Sequence, residues 1–428
     1  MRERVGESEG RSPSDKTSAT IPPMNSRGAI PVLGALLAML LVVGPFGAEP
    51  FPRTTPQAVG LNAAKLDEAT QLMKALVAEK KIAGAVAVVA RHGKLAYLES
   101  AGVQDLETRA PMTERSLFRI YSMSKPATAV AAMMLHERGR FELSDPVAKF
   151  IPEFKSVVVA SADGTTRPPL RAITVKDLLL HTSGINHRTS QPYQRAKVRS
   201  RSQTLPQFIA NLVRVPLMED PGTRYRYSEG PTVVGRLVEI WSGQPLDTFM
   251  ASQIFSPLGM TDTSFWVSPE QAPRFATRYA GGPGGLVPNE IEDVPFTVRP
   301  TLIEGAVGLV STAPDFLRFS QMLLNKGELG GVRLLSAKSV ESMTINGLTD
   351  AMVQERNGMG WGLGNVEVVV DAAAQKVPSS RGEYGWNGSA GTFFWNDPSA
   401  DMVIIVMTQL ADRLPTQFKT LVRQAAAE

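Results

Sequence analysis

Ser122-Met123-Ser124-Lys125, leading into the apolar run PATAVAAMMLH over 126–136, is the stretch on which the reading of this chain turns. A serine and a lysine three residues apart share one face of a helix, with Cβ atoms about 5–6 Å apart. The amine therefore reaches the hydroxyl. A lysine largely removed from water loses its proton near neutral pH and can serve as a base for a serine nucleophile. Pro126 falls in the first turn, where a missing N–H costs little. Ser122 is then expected at a helix N-terminus, where free backbone N–H groups favour developing negative charge. This is the only S-x-x-K in the chain.

Composition narrows the alternatives. The 428 residues are 43% hydrophobic and 20% charged, enough for one large or two medium globular domains. A net charge of +4 is too small to imply a nucleic-acid partner. The densest basic stretch, Arg188 to Arg201 with Arg195, Lys197 and Arg199 between, reads as a solvated loop or helix face. With no cysteine, thiolate nucleophiles, disulfides and zinc–thiolate sites are excluded. The four histidines, His92, His136, His181 and His187, form no H-x-H or H-E-x-x-H pattern, so no metal is expected. None follows His187, and no G-x-S-x-G elbow occurs, which argues against an α/β-hydrolase.

The periodicities suggest how the chain is organised. Leu61 to Lys81 has helical spacing (Leu66, Ala69, Leu72, Met73, Leu76). Residues 83–90 and 95–101 read as two strands about a turn at 91–94. Val366 to Ala373, Tyr384 to Trp395 and Met402 to Leu410 read as three more, and Phe418 to Ala427 as a last helix. From about 140 to 310 the signals are mostly helical, with Pro/Gly-rich loops. Strands at both ends with helices between predict one α+β domain over 51–428. Its sheet part spans about 55–140 and 310–428, and its inserted helical part about 140–310.

The first 50 residues differ. Residues 1–23 are polar and read as disordered. Arg27, followed by the apolar run 29–47, resembles a secretory signal with a cut after Ala48. That run is also near the ~20 residues that span a bilayer. Export is expected, periplasmic or secreted if the segment is cleaved and membrane-anchored if it is kept; the alternative is a buried helix of a cytoplasmic protein.

Further stretches carry a resemblance. Pro221-Gly222-Thr223-Arg224-Tyr225-Arg226-Tyr227-Ser228-Glu229 resembles the second conserved element of class C β-lactamases and family VIII carboxylesterases, which makes Tyr227 the catalytic tyrosine. Tyr384-Gly385-Trp386-Asn387-Gly388-Ser389-Ala390-Gly391 resembles the third element, on the strand lining the site. DLLLHTSG (177–184), GLVST (308–312) and GWGLG (360–364) are similar to stretches of the same superfamily, in its order. The resemblance implies a β-lactamase-like fold, in which an antiparallel sheet built from both termini is flanked by helices. It implies a covalent acyl-Ser122 intermediate, short-chain acyl esters as substrates, and no cofactor. Lys125 and Tyr227 would share the proton, and either can be its first acceptor. The N–H groups of Ser122 and Ser389 would hold the oxyanion. Gly388 would let substrate approach the strand. His181 and Ser183 are expected to be structural.

Two departures bear on substrate. Trp386 stands where β-lactamases carry a lysine, and Glu229 stands where class C carries an amide. A missing cation and an added carboxylate both disfavour an anionic β-lactam, so Trp386 and Glu229 are expected to line a site for neutral esters. Weak β-lactam turnover, a transesterase or D-alanyl peptidase activity, and a silent peptide-binding module are the alternatives. The ester is the one partner the sequence implies.

Overall fold

The strand Gly84–Arg91 is buried on both faces, and its side chains divide with period two. Val86, Val88 and Ala90 enter one core, while Ala85, Ala87 and Val89 enter another. Met402–Met407 divides in the same way, with Val403, Ile405 and Met407 against Met402, Ile404 and Val406. Such strands belong at the centre of a sheet covered on both sides, and the computed structural model places them there. It describes residues 51–410 and 414–427; the export signal expected over 24–48 lies outside the described residues.

The sheet has seven antiparallel strands: β1 (Gly84–Arg91), β2 (Lys94–Gly102), β3 (Met359–Gly362), β4 (Val366–Val369), β5 (Tyr384–Gly388), β6 (Thr392–Asp397) and β7 (Met402–Met407). Their spatial order is β3-β4-β5-β6-β7-β1-β2. The two chain ends meet where β1 pairs with β7, Val86 opposite Met407. One face is covered by α1 (Ala63–Ala78) and the last helix, Leu414–Ala427, through Leu66, Met73, Phe418 and Val422. The other face carries the larger core and the helix α2 (Ser124–Glu137), in which every residue from Ser124 to Leu135 is buried. A helix apolar all round belongs inside the molecule.

The sheet built from both termini is as expected, with two differences. Residues 384–395 form a hairpin rather than one strand. The break is Gly391, at φ +80°, where a Cβ would lie 2.1 Å from the Leu410 carbonyl oxygen. The edge strand β3 is additional, because its sequence, MGWG, carries two glycines and no alternation. Among the described residues no helix is long and apolar enough to cross a membrane.

Candidate active site

The segment Tyr121–Met123 forms one tight 3₁₀ turn ahead of α2, and Ser122 sits in that turn. Tyr121 has φ +40°, a left-handed conformation that is strained for a non-glycine residue. The GLVST segment holds the turn in place. The Ile120 N–H donates to the Leu309 carbonyl at 3.1 Å, and the Leu309 N–H donates to Ser124 Oγ at 3.0 Å. Backbone strain of this kind survives only where its surroundings over-determine it.

Lys125 lies beneath the serine, 2% exposed. Its Nζ is 3.0 Å from Ser122 Oγ, donates to the Ala306 carbonyl at 3.0 Å, and stands 4.7 Å from the centre of the Tyr227 ring. No carboxylate is within hydrogen-bonding distance of it. Burial therefore dominates and pulls the amine down to about 7, only partly opposed by the field of Glu229.

Tyr227 is positioned by the DLLLHTSG segment. Thr174 and Asp177 form a capping box on the helix Val175–Leu180, and Arg171 clamps the Asp177 carboxylate at 2.6 and 2.8 Å. His181 ends that helix at φ +56°. Its carbonyl accepts from the Arg226 N–H at 2.7 Å, and its Nδ1 accepts from the Ser228 N–H at 3.1 Å. These bonds fix both neighbours of Tyr227. Burial holds the His181 ring neutral, and Ser183 is buried in the turn that follows. Their structural placement matches the sequence reading.

The Tyr227 hydroxyl accepts from Trp386 Nε1 at 3.1 Å, and the Ser122 side chain is among the groups that favour its ionised form. Burial pushes the phenol well above its ordinary range, so the phenolate is disfavoured. Around it stand His181, His187, Trp361 and Trp386, with ring centroids 4.7–6.0 Å from its own. His187, at the half-buried rim, has no motif that would have marked it.

The third element meets the nucleophile turn as the resemblance implies. Ser389 follows β5, and the N–H groups of Ser122 and Ser389 have no partner among the described residues. Gly388 is a correction. It is buried, and a Cβ there would lie 2.3 Å from the Ile120 carbonyl oxygen. It lets β5 pack on the nucleophile turn rather than admitting substrate.

Glu229 is the larger correction. It is 1% exposed and lines no substrate space. Arg188 Nε and Nη2 donate to its two carboxylate oxygens at 2.7 and 2.8 Å. Burial alone would raise its pKa, but Arg188 overrides that and keeps it ionised. The Arg188–Arg201 stretch likewise points inward in part. The Arg188 and Arg199 side chains are 20% and 14% exposed, and Arg201 is fully buried with its guanidinium 3.9 Å from the Phe296 ring centre. Among the described residues no group of three metal-ligating side chains occurs.

A serine and a buried amine in contact, with a tyrosine ring 4.7 Å from that amine, define a serine hydrolase site on a β-lactamase-like fold. The chain belongs to the Beta-lactamase family, whose model matches residues 69–427. Protein Rv1367c of Mycobacterium tuberculosis is 37% identical over 77% of this chain and 86% of its own length. Esterase EstB of Burkholderia gladioli is 31% identical over 83% of this chain and 93% of its own. Among solved structures, EstCE1, described as a hydrolase with promiscuous acyltransferase activity, superposes with a TM-score of 0.74. It is 27% identical, over 84% of this chain and 98% of that one.

Proposed function

We propose that this protein is a carboxylesterase acting on short-chain acyl esters through an acyl-Ser122 intermediate. The observation that carries the reading is the 3.0 Å contact between Ser122 Oγ and a buried Lys125 Nζ that no carboxylate pairs. With the amine neutral, the serine hydroxyl donates to its lone pair. Oγ attacks the acyl carbon, and its proton passes to Nζ. The oxyanion receives the N–H groups of Ser122 and Ser389, a donor of this kind being worth about 3–4 kcal/mol in the transition state. The neutral Tyr227 phenol protonates the departing alkoxide and is restored from the Lys125 ammonium. Water then attacks the acyl carbon and gives its proton to the same pair, which returns it to Ser122 Oγ as the C–Oγ bond breaks, releasing the carboxylic acid and the free serine. On this reading Lys125 is the first acceptor and Tyr227 the relay, since burial favours the neutral form of each.

Preference for esters rests on Trp386 alone, Glu229 being paired and turned away. A β-lactam brings a carboxylate that loses water in the site. Without a cation at position 386, that desolvation costs about 1–3 kcal/mol, or about ten-fold or more in rate. The likeness to EstB, which is named an esterase, supports ester hydrolysis itself. The test is kcat/KM for acetate, butyrate and longer esters beside nitrocefin and a D-alanyl-D-alanine peptide. Short esters should lead by ten-fold or more. Equal or greater β-lactam or peptide turnover overturns the assignment.

A further inference from the structure

Behind Lys125 lies a chain of buried charges that the proposed chemistry leaves unused. Glu229 and Glu304 are each 1% exposed. Arg188 bridges them, bidentate to Glu229 and 3.4 Å from Glu304 Oε2. Arg199 takes up the rest of Glu304 through Nε at 2.9 and 3.1 Å and through Nη2, and then reaches Glu292 at 2.7 Å. Each carboxylate is thus held by a guanidinium rather than by the lysine.

The geometry points to Arg188 as a positioning residue for the nucleophile's base. We infer that Arg188, by clamping Glu229, keeps that carboxylate from pairing with Lys125 and so leaves the amine directed at Ser122. This rests on the proposed role of Lys125 as base.

The groups facing Lys125 come from four segments. Ser122 stands on its own turn. Tyr227 and Glu229 come from the segment leading into the helix Gly230–Ser242. His181, His187 and Arg188 come from the loop after Leu180, and Glu304 and the Ala306 carbonyl from the segment before GLVST. Both histidines are held toward their neutral forms, burial being the main cause. The charges that decide the matter are therefore two carboxylates and two guanidinia, Arg188 on Glu229 and Arg199 on Glu304. A charge a few ångströms away in a buried site outweighs one at the surface several-fold. Without Arg188, Glu229 would lose its guanidinium while Glu304 stayed with Arg199, and the unpaired Glu229 would draw the lysine into an ion pair, protonated and turned from Ser122. Without Glu229, the lysine would lose an anion and keep the cation.

The signs follow. A neutral base gives activity that is present above its pKa and lost below it. Arg188→Gln should move the acid limb of kcat/KM upward by about one pH unit or more, so that activity falls about ten-fold at pH 6 and recovers at pH 9. Glu229→Gln should move it downward. The double variant Arg188→Gln/Glu229→Gln should return it toward wild type and also guards against a single variant that fails to fold. Pre-steady-state acylation with a p-nitrophenyl butyrate probe, read from pH 5 to 9.5, measures each limb. Opposite shifts support the inference. Uniform losses at every pH, or shifts of one sign, overturn it while leaving the base assignment standing. A wild-type limb that survives Lys125→Ala overturns the base assignment itself.

Discussion

Among the described residues two lysines are buried, and they are held in opposite ways. Lys125 is 2% exposed and Lys419 4%. Lys419 lies in the last helix, on the far face of the sheet, and its ammonium contacts the Glu383 carboxylate directly, with Ser379 Oγ at 2.9 Å. Burial pulls Lys419 down and Glu383 up, and their mutual contact opposes both. Lys125 has a hydroxyl, a carbonyl and an aromatic ring, while the carboxylates nearby are taken by arginines. Equal burial therefore has two outcomes. A lysine with its own carboxylate ties two segments together. A lysine whose carboxylates are held by others is available for proton transfer.

Exchanging the two sites breaks the comparison most sharply. Lys125→Met should lower kcat by about a thousand-fold or more, the scale on which a nucleophile's partner acts, with little change in melting temperature. Lys419→Met should do the reverse. Removing one partner of a buried pair costs about 3–5 kcal/mol. The lower end is expected, because Arg423 stands 4.0 Å from Glu383. The double variant Lys419→Met/Glu383→Gln should recover most of that stability. Calorimetry beside ester kinetics checks both. A Lys419 variant with normal stability and lost activity would invert the distinction.

The two lysines were also unequally legible. Lys125 announces itself through a spacing of three and an apolar helix, both local patterns. The helix around Lys419 is equally plain, but the burial of Lys419 is not, since Glu383 lies outside that helix, on the other side of β5 to β7. The same limit explains the misread Arg188–Arg201 stretch. A run of arginines reads as a solvated face until Glu229, Glu304 and Glu292 are brought under it from positions up to 116 residues away. The direction of Glu229 is set by Arg188, and no local pattern encodes that pairing. The catalytic-type trio, the sheet and its two terminal segments were readable because each rests on short-range periodicity or on a motif whose neighbours in sequence are its neighbours in space.

Charge placement at the other end of the pocket sharpens the comparison further. Trp386→Lys would add a third near-buried lysine, one without a carboxylate of its own and close to the Tyr227 hydroxyl. It should raise nitrocefin turnover by about ten-fold, the rate equivalent of about 1.4 kcal/mol, and lower butyrate ester turnover. Parallel kcat/KM measurements on the two substrates check this. Unchanged discrimination would remove Trp386 from the account of specificity.

The smallest effect expected comes from Trp386→Phe, which separates the ring from its N–H. The ring packs against Trp361 at 4.6 Å and Tyr227 at 5.2 Å between centroids, and phenylalanine keeps much of that contact. The Nε1 bond to the Tyr227 hydroxyl is lost. One neutral hydrogen bond is worth about 0.5–1.5 kcal/mol, or a few-fold to about ten-fold if it is felt only in the transition state. Because Trp386 donates to the phenol oxygen, it leaves the phenol proton free for transfer, and losing it should slow the relay rather than weaken binding. Stopped-flow acylation with short esters should therefore show a lower kcat at nearly constant KM, with the acid limb still near 7, because Lys125 keeps its surroundings. A rise in KM at constant kcat would instead make the indole a packing surface for the ester, and would leave Tyr227 held by the backbone bonds of its neighbours Arg226 and Ser228.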